Sequence, residues 1–313
     1  MSHWSEIPER GKALPLKLGF FILNLLGYTL SVILLVPVMA YFFATGGVSR
    51  RASRQYLTRL HETFPDRIPR PTLWHCFLHH FSFGLNVLDR MWIWQGKLKK
   101  FQFESKGSHH LNRNGVGALV IGSHFGSFDA LRSLAQKGGF RMNVVMYRAH
   151  ARVFNQLMQE ISPESNLHIY ELAESDMNAV FELKERIELG EMVAILGDRL
   201  PPIGKQRVKM LPFLGHPAPL PQNPWVLAHL LECPVYFTCA YRTGYRKYFA
   251  FMVPIAERVV LPRKNRDGAL DTYMIPYLKQ LETLCLEKPY QWFNFYDFWH
   301  FQDSSSTTTS EGG

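Results

Sequence analysis

The chain has 313 residues, 47% of them hydrophobic and 14% aromatic, which allows one large domain or two small ones around a sizeable core. A formal charge of +9 fits a solubilising surface or an anionic partner. The absence of zinc-finger spacing, of an RNP-type motif and of a Gly-rich loop ending in Lys-Ser/Thr argues against nucleic acid as that partner.

Residues Leu18 to Phe43 are 26 in a row without a charge. A bilayer span needs roughly 20. The stretch is too long for a signal-peptide core. Asn24, Gly27 and Pro37 leave room for a kinked or re-entrant helix as well as a straight span. Arg10, Lys12 and Lys17 precede it, and Arg50, Arg51, Arg54 and Arg59 follow. The asymmetry leans towards a cytoplasmic C-terminal body. Basic flanks on both sides also suit a segment that enters and leaves on one face. Residues 74–100 crowd aromatics, histidines and a basic end together. They read either as a helix lying partly in the headgroup region or as a core helix with a wet edge.

From Gly117 the pattern changes. Short apolar runs at 117–121, 142–147, 166–170 and 192–196 alternate with segments of helical length at 126–137, 150–161 and 175–189. Such alternation predicts an α/β body with a central, mostly parallel sheet flanked by helices. Two more strands are expected at 234–240 and 247–253, and a helix over 270–287. The tail from Asp303 is polar, of low complexity and expected to be disordered. The implied organisation is a membrane-anchoring helix (1–48), a helical and possibly interfacial segment (49–115), a catalytic body (116–302) and a tail (303–313). Cys76, Cys233, Cys239 and Cys285 show no CxxC spacing and stand in apolar surroundings. They read as buried, reduced thiols, and no metal site is expected.

The chemistry concentrates in LVIGSHFGSFDALR, residues 119–132. An apolar strand runs into Gly122-Ser123-His124, and a helix starts near Gly126 or Ser127. Asp129 then falls in the first turns of that helix and is expected to fold back onto His124. A carboxylate on one imidazole nitrogen fixes the tautomer, so the other nitrogen can take a proton from an acceptor hydroxyl or amine. The bare His-x4-Asp pattern is expected about once by chance in such a chain. It recurs at His61 and Asp66, where no strand precedes it and Pro65 interrupts the interval. Context selects His124.

SHFGSFD resembles the HxxxxD/E motif of the lysophospholipid acyltransferase superfamily, in particular its bacterial lipid A late acyltransferase branch. AILGDR (194–199), RVKMLPFLGHPAPLPQNPWVLAHLLECPV (207–235) and KPYQWFNFYDFW (288–299) fit the same branch in the same order, as does the N-terminal apolar helix. More closely, these stretches look like a predicted acyltransferase subgroup often associated with aryl polyene lipid clusters. The lipid A enzymes carry Asn-Trp-Glu or similar where this chain has Ser127-Phe128-Asp129. That departure points away from a lipid A acceptor and leaves the chemistry intact.

The resemblance implies a glycerolipid acyltransferase-like fold behind an N-terminal membrane helix. It implies acyl transfer from an acyl carrier protein or CoA thioester to a membrane lipid acceptor, without further cofactor, at the cytoplasmic face of a bacterial inner membrane. His124 and Asp129 form the expected catalytic pair. Arg148, Asp198, Arg199, Ser123, Gly126 and Arg132 form the expected substrate-binding set. Arg148 follows the second strand and matches a family position near the active site, where a guanidinium suits a phosphate or an oxyanion. Asp198 and Arg199 end another strand and should share a sheet edge with His124. Arg132, one turn beyond Asp129, is placed to steady its carboxylate. The competing readings are a thioesterase or lipid hydrolase using Ser123, which lacks a GxSxG elbow, and a non-catalytic lipid-binding protein.

Overall fold

The computed structural model describes residues 13–107, 115–147, 168–172, 177–200 and 207–300. Arg148, the helix expected over 150–161 and the tail from 303 lie outside them.

Among the described residues seven strands form one sheet: β1 (Gln102–Lys106), β2 (Ala118–Gly122), β3 (Met142–Tyr147), β4 (His168–Leu172), β5 (Met192–Leu196), β8 (Val235–Gly244) and β9 (Lys247–Ala256). Their order is β1-β9-β8-β2-β5-β3-β4. All neighbours run parallel except β8 and β9. The sheet is therefore mostly parallel, as the alternation of strands and helices predicts. β1 belongs to the stretch read as helical; it joins the sheet by pairing with β9, far away in the sequence. β6 (Val208–Phe213) and β7 (His216–Pro221) form a separate antiparallel hairpin. Its four prolines fall in a two-stranded ribbon, where missing N–H donors are tolerated.

The central strands are buried on both faces, so their side chains divide by parity. Leu119, Ile121, Val193, Ile195, Val235 and Phe237 enter the larger core, with residues of α5 (Met177–Glu188), α6 (Asn223–Leu231) and α7 (Arg266–Glu287). Ala118, Val120, Val144 and Ala194 face the other way, where Phe128 of α4 (Phe128–Lys137) packs. All four cysteines are buried and unpaired.

Helices α1 (Ala13–Thr45), α2 (Gly47–Thr63) and α3 (Leu73–Trp94) precede the sheet. α1 kinks at Gly27, whose φ of 72° and ψ of 175° are non-helical, and it carries Pro37 inside. α3 takes its N-cap from Thr72 through a capping box with His75. Cys76, His79, His80, Leu88 and Trp92 of this helix are buried, while Leu73, Trp74 and Phe83 are exposed.

α1 is fastened to this frame through a buried charge. Tyr28 donates to Asp89 Oδ1 (2.5 Å), Tyr248 donates to Oδ2 (2.6 Å), and Arg242 Nη1 lies 3.4 Å from Oδ2. Burial pushes the Asp89 carboxyl up, against the opposing pull of Arg242 and the two hydroxyls. An uncompensated charge there is costly, so this cluster specifies how α1, α3 and the β8–β9 hairpin meet.

Candidate active site

β2 and β5 are parallel neighbours in register, with Gly122 opposite Leu196. Two residues beyond each lie His124 and Asp198, so the same register carries both onto one sheet edge. His124 Nδ1 sits 2.8 Å from Asp198 Oδ1, and the backbone N–H of His124 donates to Oδ2 at 2.9 Å. A carboxylate accepts, so Nδ1 carries the proton, and in the neutral imidazole the lone pair then falls on Nε2. The His124 side chain is 28% exposed and that of Asp198 fully buried.

Asp198 stays ionised despite its burial. Burial alone pushes the carboxyl up. The His124 imidazole, its hydrogen bonds and the Arg199 guanidinium outweigh burial and bring the pKa down to about 2. Two further donors come from the C-terminal aromatic segment: Trp292 Nε1 at 3.0 Å and Asn294 Nδ2 at 3.4 Å, both to Oδ2. That segment runs antiparallel to the His124 loop. Phe293 N–H donates to His124 O, Gly126 N–H to Gln291 O, and Phe125 bridges Trp292.

His79 of α3 braces the segment from behind. Its Nε2 donates to Trp292 O at 2.8 Å, which leaves Nδ1 to accept from Ser53 Oγ at 2.9 Å. Burial holds His79 neutral, its pKa down at about 3.

Asp129 turns elsewhere, against the expectation that it orients His124. Its Oδ1 accepts from Trp94 Nε1 at 2.8 Å and its Oδ2 pairs with Arg90 Nε at 2.7 Å. The local backbone accounts for the direction. Gly126 takes a φ of +67°, Ser127 is an extended N-cap, and α4 leaves with its first turn against α3. A spacing of five fixes proximity along the chain but not the side to which a helical residue points. The carboxylate on Nδ1 thus comes from Asp198, one of the residues expected to bind substrate.

The other expected residues divide. Arg199 is half-buried; its Nε donates to Asn294 Oδ1 and its Nη2 to Phe293 O, both at 2.6 Å, and it lies over the Tyr296 ring. It stiffens the segment that feeds Asp198. Gly126 is a backbone necessity: a Cβ there would stand 2.2 Å from Ala240 O. Ser123 is buried beside His124, and its Oγ has no hydrogen-bond partner among the described residues. Arg132 is buried, with Nη1 3.4 Å from Gln136 Oε1; burial lowers its pKa and the nearby Asp129 opposes that. His61 ends α2 with its ring on Ile68 O at 2.6 Å, away from any strand end. Trp292, Asn294 and His79 carry weight that the sequence reading did not assign them. A polar Asn294 inside an otherwise aromatic run is the signal that marks the segment.

A histidine held by a buried carboxylate at the C-terminal end of parallel strands makes this edge of the sheet the candidate active site. The chain belongs to the bacterial lipid A biosynthesis acyltransferase family, whose profile matches residues 20–300. No curated protein matches it. Among solved structures it is similar to the 1-acyl-sn-glycerophosphate (LPA) acyltransferase PlsC from Thermotoga maritima. The identity is 12%, the coverage 80% of this chain and 97% of that one, and the TM-score 0.35, a likeness too loose to bear on the site.

Proposed function

We propose that this acyltransferase moves a fatty acyl group from the thioester of an acyl carrier protein or CoA to a hydroxyl or amine of a membrane lipid. His124 is the general base and Asp198 the residue that positions and charges it. The observation that carries this reading is the 2.8 Å contact between His124 Nδ1 and a buried, ionised Asp198. Nε2 of His124 takes the proton as the acceptor oxygen or nitrogen attacks the thioester carbonyl carbon. The carbon–sulfur bond breaks, and the proton passes to the departing thiolate. Asp198 stabilises the transient imidazolium, as an orienting carboxylate does in other histidine-based centres. Ser123 Oγ is buried beside His124 and has no hydrogen-bond partner among the described residues. Asp129 anchors α4 to α3 beneath the base. The body works at the cytoplasmic face of a bacterial inner membrane.

The test is incubation of purified protein with labelled acyl-carrier protein and a total lipid extract. Label entering a lipid, and lost in His124→Ala, is the expected result. Label released as free fatty acid would make the protein a hydrolase, and no movement of label would leave only lipid binding.

A further inference from the structure

α1 is apolar on both sides, yet among the described residues only one side is covered. Tyr28, Ser31, Leu35, Met39 and Phe43 recur at helical spacing and turn inward. Tyr28 meets Trp92 edge to face, Met39 lies where a Cβ on Gly84 would be, and Phe43 meets Phe77. α1 therefore lies antiparallel along α3 for its whole length after the Gly27 kink. The outward side repeats at Leu30, Ile33, Leu34, Val38, Tyr41 and Phe42, all exposed, with Ile33 at 59% and Tyr41 at 63%. On α3 the apolar surface continues through Trp74, Phe77 and Phe81, stacked ring on ring.

By length and hydropathy alone, Leu25–Thr45 is able to cross a membrane. Its packing contradicts that. α3 is bound into the catalytic body through Asn86 to Gly126 O, Trp94 to Asp129 and His79 to Trp292 O. If α1 stood across a bilayer, the partner helix and the His124 loop would be carried to the same depth. Asp89, His79 and the sheet edge would go with them, and lipid tolerates polar backbone and charge poorly. Among the described residues, the helix before the kink covers 13–26, short of the roughly 20 a span needs.

Cations lie at both ends of the exposed stripe. At the Tyr28 end, Arg246 covers the Tyr28 ring at 4.3 Å, and Lys97 and Lys100 cover Trp92 at 4.6 and 5.0 Å. There Lys100, Tyr245, Arg246 and Lys247 line a cleft of about 540 Å³. At the other end Arg50 caps Phe43 O and Ala44 O, beside exposed Arg51 and Arg54. A span puts the two groups on opposite surfaces, whereas a helix lying flat puts both against one.

We infer that α1 is an in-plane membrane helix: its outer stripe sits in one leaflet, and the basic groups at its two ends rest on the anionic headgroups of that same leaflet. The inference concerns how the protein meets the bilayer and holds whatever the acyl acceptor is.

The four native cysteines are buried, so single engineered thiols report cleanly. In sealed, oriented vesicles, Ser5→Cys and Asp66→Cys are expected to react with a membrane-impermeant maleimide from the same side. Reaction from opposite sides overturns the proposal. A fluorophore on Ile33→Cys, near the midpoint of the apolar segment, should be quenched more by lipids spin-labelled near the headgroup than by lipids labelled at the chain end. Strongest quenching by the chain-end label would mean a span. Binding of the Lys100→Gln/Lys247→Gln double variant to phosphatidylcholine vesicles containing phosphatidylglycerol should fall about fivefold per lysine at low salt, with pure phosphatidylcholine unaffected. Equal binding of wild type and variant to the anionic vesicles overturns the headgroup contact. None of these readouts depends on acyl transfer, so their failure and a failure of the proposed reaction are distinguishable.

Discussion

Trp292 donates its indole N–H to Asp198 Oδ2 at 3.0 Å, while its backbone carbonyl takes the Nε2 proton of His79 at 2.8 Å. One residue thus links α3 to the carboxylate that holds His124. The chain His79–Trp292–Asp198–His124 crosses three parts of the fold, and each link makes a separate prediction.

The first concerns the two carboxylates. Asp198→Asn keeps the shape but removes the charge behind His124, so turnover should fall on the order of 10²–10⁴-fold, and the melting temperature should fall too because the ionised carboxylate also stabilises the fold. Asp129→Asn removes the partner of Arg90 and weakens the seat of α4. It should lower the melting temperature by a few degrees and turnover by less than Asp198→Asn does. Steady-state kinetics and thermal unfolding on both purified variants decide the assignment. A larger activity loss in Asp129→Asn would return the catalytic carboxylate to that residue.

Trp292→Phe keeps most of the aromatic packing and deletes one donor to Asp198. Losing a hydrogen bond to a charged group costs about 1.5–3 kcal/mol. The cost here should show as a fall in kcat with KM nearly constant, because the group positions the base and does not bind the substrate. The acidic limb of the kcat profile should move as well. An unchanged profile with a raised KM would place Trp292 in the substrate pocket instead.

Acid should weaken the fold in two stages. The folded pKa of His79 is about 3 and its ordinary value is 6.5. Below 6.5 the unfolded chain takes up a proton that the native state refuses, so stability falls as pH drops towards 3. The slope approaches about 1.4 kcal/mol per pH unit from this residue. Asp198 contributes stability above its ordinary value of 3.8, and that contribution is lost as pH falls to about 2. Urea midpoints measured from pH 7 to pH 4 should fall less steeply in His79→Gln than in the wild type. Parallel slopes would mean that His79 does not titrate in this way.

Gly126 and Gly139 both have positive φ, at 67° and 83°. A Cβ on Gly139 meets nothing within 4 Å, whereas one on Gly126 meets Ala240 O at 2.2 Å. Gly139→Ala should therefore cost about 1 kcal/mol, the conformational penalty alone. Gly126→Ala forces the His124 loop off β8 and should abolish activity in whatever protein still folds. Comparable stability and activity in the two variants would show that the loop has slack.

Much of the fold was legible because the central strands are apolar on both faces and separated by helical lengths. The alternation in 117–196 predicts β2, β3, β4 and β5 nearly as they stand. β1 was not legible: QFESK carries a mixed pattern, largely exposed, and its partner β9 lies near the other end of the chain. The β6–β7 ribbon was hidden by its prolines. At the site, His124 stood out through its strand-to-loop setting, and Asp198 was placed on the same edge. Which carboxylate meets the imidazole depends on the β2–β5 register and on the direction in which Gly126 releases α4. Neither is local information. His79 had no signal at all, since its partner is the backbone carbonyl of a residue more than two hundred positions away.

The buried Asp89 sets an order of events during synthesis. α1 and α3 leave the ribosome early, whereas Tyr248, which closes the far side of Asp89, follows 159 residues later. At about 5–20 residues per second the wait is on the order of ten seconds. For that interval α3 carries a carboxylate shaped for partners that do not yet exist, next to a greasy helix already seeking lipid. With α1 meeting lipid as inferred above, the bilayer is reached before the catalytic edge is complete. A nascent chain stalled before residue 242 should accordingly be bound to membranes yet sensitive to protease throughout the body.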